Sequence, residues 1–494
     1  MTKGNNRTSI GELKNVISTL FSNQSATNKQ CVGIEVEFTP FRLEPKKKYG
    51  GVPNFKNDQH TGILDLLREQ FSSNSAIWYS PNKEGTPRFL TRNGGMITFE
   101  PGGQVEYSSS ASDIFSEVVQ EVTTYLSVLN QILSKASHWL FFGGLNPWYS
   151  VSDIGLKLDK HRYIQMDRFF KSIGPYGQKM MRLSSSTQIN LDVGDEEVMM
   201  ERWTAGSLLT PIITAIFGNS PFFTGTGSGV KSYRTMIWQN LDHSRTGIIG
   251  NPAELSTLSM LEKAYYDFAM KAKVIILPDQ NGDYAFHSNQ VTFSTWLENG
   301  YNGFYPSVND WENHLTTLFP EIRPKGFFEF RAFDGQASAW WLIPVLFLCR
   351  LLYDSTSRIK IIDLLKPYAD QLANMQWRAS IMGVSAFPEL CQKTGMLALR
   401  SDQFRVDDSM VSYLEKFIKR YTLNGINPAD ELLSINDGEV FTASQYLIYQ
   451  DQLLETINPP KEILWQNHYS FDSSENLKMQ DTVPAPAGKA RPCC

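Results

Sequence analysis

Alternation between polar and apolar residues recurs in four separate segments of this chain, and the polar positions hold mainly carboxylates, amides and arginines. The first segment is GIEVEF at 33–38, where Glu35 and Glu37 share one side of a strand and the apolar residues share the other. One such strand alone is typical of a solvated sheet face. Four strands without interspersed lysines predict one sheet with a common polar face.

The other three segments are QVEYS at 104–108, RLSSSTQINLD at 182–192 and FFEFRAFDG at 327–335. A Pro-Gly-Gly turn brings Glu100 next to the first of them. The polar positions share one parity within each segment: Gln104, Glu106 and Ser108; Arg182, Ser184, Ser186, Gln188, Asn190 and Asp192; Glu329 and Arg331. We expect them to lie on the same side of the sheet as Glu35 and Glu37.

Helical patterns separate these strands. Ser9 and Glu12 form a capping box that predicts a helix over 8–22, and Asp113 and Asp195 are suited to cap two later helices. The last third of the chain is mainly helical in pattern. Strands joined by helices and long loops predict an α+β fold, in which an antiparallel sheet carries helices on its apolar side.

Composition narrows the possible partners and the location. The 494 residues carry a net charge of -5, so the basic surface typical of nucleic-acid binding is not expected. The longest apolar run, at 340–349, is shorter than the roughly 20 residues of a membrane span. Five scattered cysteines predict reduced thiols. We expect a cytoplasmic protein; the acid-poor first thirty residues leave an organelle transit peptide as the alternative.

A crowded set of carboxylates predicts a metal site. Two carboxylates about 5 Å apart repel by roughly 3 kcal/mol at an effective dielectric constant of 20. Such a cluster is therefore stable only when it is protonated or neutralised by a cation. Oxygen ligands without a cluster of His or Cys favour Mg²⁺ or Mn²⁺. Carboxylates next to arginines then indicate nucleotide-dependent phosphoryl transfer.

The glycine-rich stretch GTGSGVKS at 225–232 is not a phosphate-binding P-loop. Val230 stands between the last glycine and Lys231, which breaks the pattern GxxxxGK[ST]. We interpret this stretch as an ordinary connection. If ATP binds, its phosphates must be held by metal ions on the sheet and by arginines.

The same segments resemble one known family. The blocks GIEVEF, FEPGGQVEYSS, MMRLSSSTQINLD, NSPFFTG, YRTMIW, DHSRTG and NDWENHLTTLFPEIRPKGFFEFRAFDG are similar, in the same order, to the glutamate-cysteine ligases of the plant and proteobacterial type. The resemblance covers residues 30 to 355, and EPGGQxE and TxFPExR are its most specific motifs. It implies a glutamine-synthetase-like antiparallel sheet that forms a half-barrel, with helices outside and magnesium sites on the concave side.

The resemblance also implies a reaction and its site. ATP would phosphorylate the γ-carboxylate of glutamate, and the amine of cysteine would displace phosphate, in the first step of glutathione biosynthesis. By match to the family motifs, the residues take these roles: Glu35, Glu37, Glu100, Glu106 and Glu329 as metal ligands; Gln188, Asn190 and Asp192 at the nucleotide; Arg182, Arg234, Trp238 and Arg245 at substrate carboxylates and phosphates; and Arg331, Glu106 and Glu329 in catalysis. Two alternatives are that Trp238 belongs to the core and that Arg245 pairs with Asp242 on a helix surface.

Two departures from the family leave the acceptor amine open. SSSAS at 108–112 replaces a Ser-Gly-Ala-Pro run of the plant enzymes, and Gln336 stands where a second glycine is usual. A γ-glutamyl ligase with another amine acceptor is therefore an alternative, as is a non-catalytic binding protein of the same fold. We divide the chain into an N-terminal helix at 1–30, one catalytic domain at 31–470 that is mainly helical from 375, and a disordered tail at 471–494.

Overall fold

The computed structural model describes residues 8–22, 30–43, 51–57, 61–72, 74, 76–287, 290–436 and 440–464. The predicted tail at 471–494, with Cys493 and Cys494, lies outside the described residues. The strands are β1 Val32–Arg42, β2 Ile77–Tyr79, β3 Phe89–Thr91, β4 Met96–Phe99, β5 Val105–Ser108, β6 His138–Phe141, β7 Ser186–Leu191, β8 Phe222–Phe223, β9 Thr226–Gly227, β10 Thr246–Gly247, β11 Leu277–Pro278, β12 Tyr284–Ala285, β13 Phe319–Pro320, β14 Ile322–Pro324 and β15 Phe328–Asp334.

One large sheet forms the centre of the molecule. Its strands follow the order β14-β15-β7-β1-β5-β4-β3-β2, with β6 paired to β1 in addition. Each of these pairs is antiparallel. The path does not close on itself, so the sheet is open. The predicted α+β class with an antiparallel sheet is confirmed.

Helices account for most of the remaining chain. They are α1 Ile10–Phe21, α2 Ile63–Phe71, α3 Phe115–Lys135, α4 Val151–Ile154, α5 His161–Ile173, α6 Tyr176–Leu183, α7 Glu196–Phe217, α8 Tyr233–Leu241, α9 Leu258–Lys271, α10 Phe293–Asn299, α11 Val308–Leu315, α12 Ile343–Leu352, α13 Ser355–Leu365, α14 Leu372–Met382, α15 Pro388–Arg400, α16 Asp408–Arg420, α17 Pro428–Ser434 and α18 Ala443–Ile457. Short 3₁₀ turns occur at Ser338–Trp340, Lys366–Gln371, Gly383–Ala386, Thr422–Asn424 and Lys461–Ile463. No helix in these ranges is apolar over a length that would cross a bilayer.

Local sequence signals set several helix ends. The capping box of Ser9 and Glu12 starts α1, and the Asp195 carboxylate accepts the Val198 N–H at the start of α7. Asp113 does not cap α3, contrary to prediction, because that helix begins one residue later, with Ile114 at the N-cap position.

Helix α7 covers the apolar side of the sheet. A Cβ on its Gly206 would lie 2.4 Å from the Phe330 ring and 3.0 Å from Ile322, so glycine lets the helix approach β14 and β15 closely. Ile34 and Ile189, at the centre of the same side, have no exposed surface. The predicted polar and apolar sides of the sheet are therefore real. The division into three chain segments stays a prediction.

Candidate active site

The strand register brings the acidic side chains together across β5, β1, β7 and β15. Glu37 of β1 lies opposite Glu106 of β5, and Glu35 of β1 lies opposite Gln188 of β7. Glu329 of β15 lies opposite Asn190 of β7. Directly opposite residues point to the same side of an antiparallel pair. One continuous polar face therefore runs across the four strands.

The turn at 100–104 adds Glu100 to this face. The Gly103 N–H donates to the Glu100 carbonyl over 2.8 Å, and the Glu100 N–H donates to the Gln104 carbonyl over 2.9 Å. Gly103 adopts a φ of +85°, which costs glycine no strain. A Cβ on Gly102 would lie 2.2 Å from the Arg182 carbonyl oxygen. The turn thus packs directly against the end of α6.

Three carboxylates form a site that fits a divalent cation. One oxygen each of Glu37, Glu100 and Glu106 lies within 4.8 Å of the other two. Opposite oxygen ligands of one Mg²⁺ or Ca²⁺ ion are about 4 to 5 Å apart. We call Glu37, Glu100 and Glu106 the acid triad.

Burial makes the charged form of the acid triad costly. It raises the pKa of Glu100 well above the ordinary value, and the neighbouring Glu106 and Glu37 raise it further. Burial also raises the pKa values of Glu37 and Glu106. It raises the pKa of the adjacent Glu35 to about 7, with Glu329 and Glu106 adding to the effect. A bound cation would remove this penalty by favouring the ionised carboxylates.

Hydroxyl and amide donors hold these carboxylates in place. The Thr98 hydroxyl donates to Glu106 over 2.8 Å. Gln188 Nε2 donates to Glu37 over 2.7 Å, and Asn190 Nδ2 donates to Glu35 over 2.8 Å. The Asn190 Oδ1 atom is buried and has no hydrogen-bond partner among the described residues. One acceptor on the polar face therefore lacks a partner among the described residues.

Glu329 lies at the other end of the polar face, among cations. Its carboxylate accepts hydrogen bonds from Arg323 over 2.6 and 2.9 Å, from Lys325 over 2.8 Å and from Arg331 over 2.8 Å. Burial alone would raise its pKa, yet these three cations hold the pKa of Glu329 well below the usual range. We call Glu329, Arg323, Lys325 and Arg331 the cation cluster.

Arg331 connects the two ends of the face, and Arg234 lies next to it. Arg331 Nη1 donates to Gln188 over 2.5 Å as well as to Glu329. Arg234 Nη2 donates to the Arg331 carbonyl over 2.8 Å, and its guanidinium stacks 4.6 Å from the centre of the Trp238 ring. The Nε atoms of both arginines are buried without a partner in the described ranges. These donors are suited to oxygens of a bound anion.

Comparison with known proteins assigns this chain to a family. The family model Glutamate-cysteine ligase family 2 (GCS2) matches residues 31–446. The chain belongs to this family. Among its relatives, the chloroplastic glutamate–cysteine ligase of Medicago truncatula is 27% identical over 437 residues, 86% of this chain and 82% of that protein. The chloroplastic glutamate–cysteine ligase A of Oryza sativa subsp. japonica is 31% identical over 323 residues, 65% of this chain and 63% of that protein.

Two solved structures resemble this ligase at low sequence identity. A bifunctional glutathione synthetase from Pasteurella multocida gives a TM-score of 0.49 at 11% identity, over 90% of this chain and 54% of that one. A glutamate–cysteine ligase from Francisella tularensis in complex with AMP gives a TM-score of 0.47 at 14% identity, over 90% and 96% of the two chains.

The expected cytoplasmic location is wrong. The plant relatives of this ligase, at 27–31% identity, are chloroplastic proteins, and this finding overturns the cytoplasmic prediction. Membership in an ATP-dependent ligase family also implies ATP and a divalent metal ion.

Three residues predicted for the ligase site are paired with other residues of the fold, and their roles in the site stay predictions. Arg182 belongs to the last turn of α6 instead of a strand, and it pairs with Asp167. Arg245 has no exposed surface and pairs with Asp242 over 2.8 Å, so this pair is buried and does not lie on a helix surface. Each guanidinium group is therefore paired within the fold, although the Nε atom of Arg182 is buried without a partner among the described residues.

Asp192 is also turned away from the acid triad. It pairs with Arg202 of α7 over 2.6 Å, and it accepts the Tyr353 hydroxyl over 2.9 Å. Both partners belong to the helical layer, because β7 ends at Leu191 and the alternation stops there. The alternation of polar and apolar residues therefore predicted a strand that is one residue too long at this end.

The sequence interpretation missed several residues that the structure adds to the site. Arg323 and Lys325 contact Glu329, and Asp334 lies 3.8 Å from Arg234 between charged atoms. Asp334 also accepts hydrogen bonds from the Asn219 N–H and the Ser220 hydroxyl over 2.9 and 2.7 Å. The motif TxFPExR contained a signal for Arg323, since that arginine is part of it.

Proposed function

We propose that this ligase joins the γ-carboxylate of glutamate to the amine of cysteine and converts ATP to ADP and phosphate. The observation that carries the proposal is the pairing, on one buried sheet face, of the acid triad with Arg331 and Arg234, in a member of the glutamate–cysteine ligase family. A γ-carboxylate oxygen of glutamate would attack the γ-phosphorus of ATP, and ADP would leave. The cysteine amine would then attack the acyl carbon, lose a proton and displace phosphate.

The acid triad is suited to hold Mg²⁺, with Glu35 nearby as a further ligand. A magnesium ion at this place would offset the charge of the nucleotide phosphates. Glu329 was predicted as a metal ligand as well, but its carboxylate is shared among three cations. Its proposed role is to hold Arg331 in position, and a metal-ligand role would require it to exchange those partners.

Arg331 is proposed to contact the transferred phosphoryl group. Its Nη1 atom donates to both Glu329 and Gln188, and its Nε–H has no partner within the described chain. A fixed guanidinium stabilises charge that develops on phosphoryl oxygens without needing to reorganise. Gln188 and Asn190 are proposed to lie next to the nucleotide, because Gln188 connects Arg331 to Glu37 and Asn190 holds Glu35 on the same strand.

Arg234 is proposed to bind a carboxylate of the amino-acid substrate. The Trp238 ring and Asp334 fix its guanidinium, and Asp334 is itself held by three hydrogen bonds. Guanidinium groups bind carboxylates with well-defined geometry when their orientation is fixed in this way. Trp238 is 7% exposed, so it also packs as a core residue.

A different acceptor amine remains a second candidate, motivated by the segment at 108–112 and by Gln336. In the structure the Ser109 hydroxyl accepts the Ile34 N–H, and the Gln336 amide donates to the Phe217 and Asp334 carbonyls over 2.8 and 2.9 Å. These polar groups are engaged with the main chain of the fold. They therefore give little support to a changed acceptor pocket, and cysteine is the favoured acceptor.

The test is a screen of amines with phosphate release as the measurement. The protein is incubated with ATP, Mg²⁺, glutamate and one amine at a time, including cysteine, 2-aminobutyrate, alanine and glycine. We expect cysteine to give the largest kcat/KM, with γ-glutamylcysteine as the product in mass spectrometry. A larger value for another amine would establish the second candidate, and no amide product with any amine would refute ligation.

A further inference from the structure

Glu321 is a buried carboxylate that lies beside arginines instead of the acid triad. It is 6% exposed and stands between β13 and β14, two residues before Arg323. The chain bends at Glu321, but the ladder that pairs Ile322 with Phe330 continues to Glu321 and Arg331, because the Arg331 N–H donates to the Glu321 carbonyl over 3.0 Å. Opposite residues of an antiparallel pair point to the same side, and Arg331 points to Gln188 on the polar face. Glu321 therefore lies on the side of the site.

Its backbone lies directly beside Arg331. The Arg331 N–H donates to the Glu321 carbonyl over 3.0 Å, and Arg234 Nη2 donates to the Arg331 carbonyl. The main chain of Arg331 therefore connects Glu321 on one side with Arg234 on the other. Burial raises the pKa of Glu321, whereas the Gln376 hydrogen bond and the charges of Arg234 and Arg331 oppose this shift.

One oxygen of Glu321 is held by a residue from the helical part of the chain. Gln376 Nε2, on α14, donates to Glu321 Oε1 over 2.7 Å. Gln376 is the only hydrogen-bond donor to this carboxylate within the described ranges, and Oε2 is not among their buried atoms without a partner. The second oxygen thus keeps some accessible surface. An α-amino acid requires an acceptor of this kind for its ammonium group.

We propose that Glu321, oriented by Gln376, accepts hydrogen bonds from the α-ammonium group of the substrate glutamate, while Arg234 holds the α-carboxylate. The inference rests on the proposed function and adds the group that distinguishes an amino acid from a plain dicarboxylic acid. A free amino acid carries its ammonium and its carboxylate on one carbon, so a carboxylate and a guanidinium close together complement both charges. Gln376 is a positioning residue in this arrangement.

The test compares the binding of glutamate with that of glutarate, which lacks the α-ammonium group. Both are titrated calorimetrically into the full-length protein with Mg²⁺ and a non-hydrolysable ATP analogue. A charge-assisted hydrogen bond corresponds to roughly a 10- to 100-fold preference of the wild type for glutamate. Glu321→Gln is expected to lose most of this preference, through weaker glutamate binding, while the glutarate Kd stays within about 3-fold.

Equal weakening of both ligands by Glu321→Gln would overturn the inference, because it would mean that Glu321 only holds the arginines. An unchanged preference would overturn it as well. Gln376→Leu keeps the carboxylate and is expected to reduce the preference partially, which provides a second variant if Glu321→Gln does not fold. Glu389→Gln, on the exposed surface of α15, is the matched control.

The wild-type amine screen separates this inference from the proposed function. If the wild type forms γ-glutamylcysteine and Glu321→Gln retains the preference for glutamate, the inference alone fails. If the wild type forms no amide product, the proposed function fails regardless of the calorimetry.

Discussion

The acid triad and the cation cluster are two ends of one buried sheet face, and they differ in how the charge of their buried carboxylates is compensated. At the cation cluster, one carboxylate has three cationic partners, and the pKa of Glu329 lies well below the usual range. At the acid triad, three carboxylates lie together, and burial raises their pKa values. The buried charge of Glu329 is therefore compensated by the protein itself, whereas the acid triad requires a cation from solution.

The largest expected effect comes from removing the residue that joins the two ends. Arg331→Ala is expected to reduce kcat by about 10²- to 10³-fold, because a fixed donor to developing charge contributes on this scale. Phosphate release at saturating substrates measures the effect. Arg331→Lys keeps the charge and serves as the control, with a smaller loss; near-normal kcat in the alanine variant would contradict the assignment.

A stability measurement tests the cation cluster directly. Glu329→Gln leaves Arg323, Lys325 and Arg331 without their shared carboxylate, and removing one partner of a buried ion pair costs about 3–5 kcal/mol. Because the three cations are partly exposed, we expect a loss of about 2 kcal/mol in the free energy of unfolding, measured by urea denaturation. Glu389→Gln, whose Lys393 partner is on the surface, should change it by less than about 0.5 kcal/mol.

Glu106→Gln tests the acid triad by removing one charged ligand while keeping the shape of the side chain. The Mg²⁺ concentration for half-maximal activity is expected to rise by about 10- to 100-fold, since one ligand of three loses its charge. A magnesium titration of phosphate release measures the shift. The same titration of Glu329→Gln is the comparison, and an equal shift there would remove the distinction between the two ends.

The smallest expected effect is the pH dependence of stability without metal. Glu35 has a folded-state pKa of about 7 and the acid triad is shifted in the same direction, so these groups bind protons more tightly in the folded state. Their contribution is complete below the unfolded pKa of about 4.3 and is lost as pH rises through 7. In EDTA the Tm should therefore fall by a few degrees between pH 5 and pH 8.

Magnesium provides the control for that prediction. Ionised carboxylates bind the cation, so added Mg²⁺ should abolish most of the fall in Tm. The cation cluster does not contribute between pH 5 and pH 8, because the depressed pKa of Glu329 places its loss of stability below the unfolded pKa. A Tm that is constant over this range in EDTA would show that the acid triad is already neutralised.

The acid triad could be predicted from sequence, and the surroundings of the arginines could not. The alternation of polar and apolar residues correctly predicted the strand positions of Glu35, Glu37 and Glu106. This pattern depends only on neighbouring residues, and each of the three lies within a regular strand. The same rule failed for Arg182, where the segment before Ser186 forms a helix despite its alternation. Strand periodicity therefore found the acids but overestimated the length of the third strand.

Arg245 shows why buried arginines are harder to interpret. Its guanidinium donates to the carbonyls of Thr317 and Lys273, which are 72 and 28 residues away in sequence. Only the tertiary fold brings these partners together, so a motif match alone could not separate Arg245 from Arg234. Glu321 also belongs to the motif TxFPExR, but its contact with Gln376, 55 residues away, could not be predicted from that motif.

The contact between Gly102 and the Arg182 main chain limits which residues can replace Gly102 during evolution. Any side chain at 102 would intrude on a carbonyl oxygen 2.2 Å from its first carbon, and would displace the turn that carries Glu100. Gly11, in α1, has its nearest neighbour at 3.8 Å and tolerates replacement. In a saturation library, active clones should therefore keep glycine at position 102 and show many different amino acids at position 11.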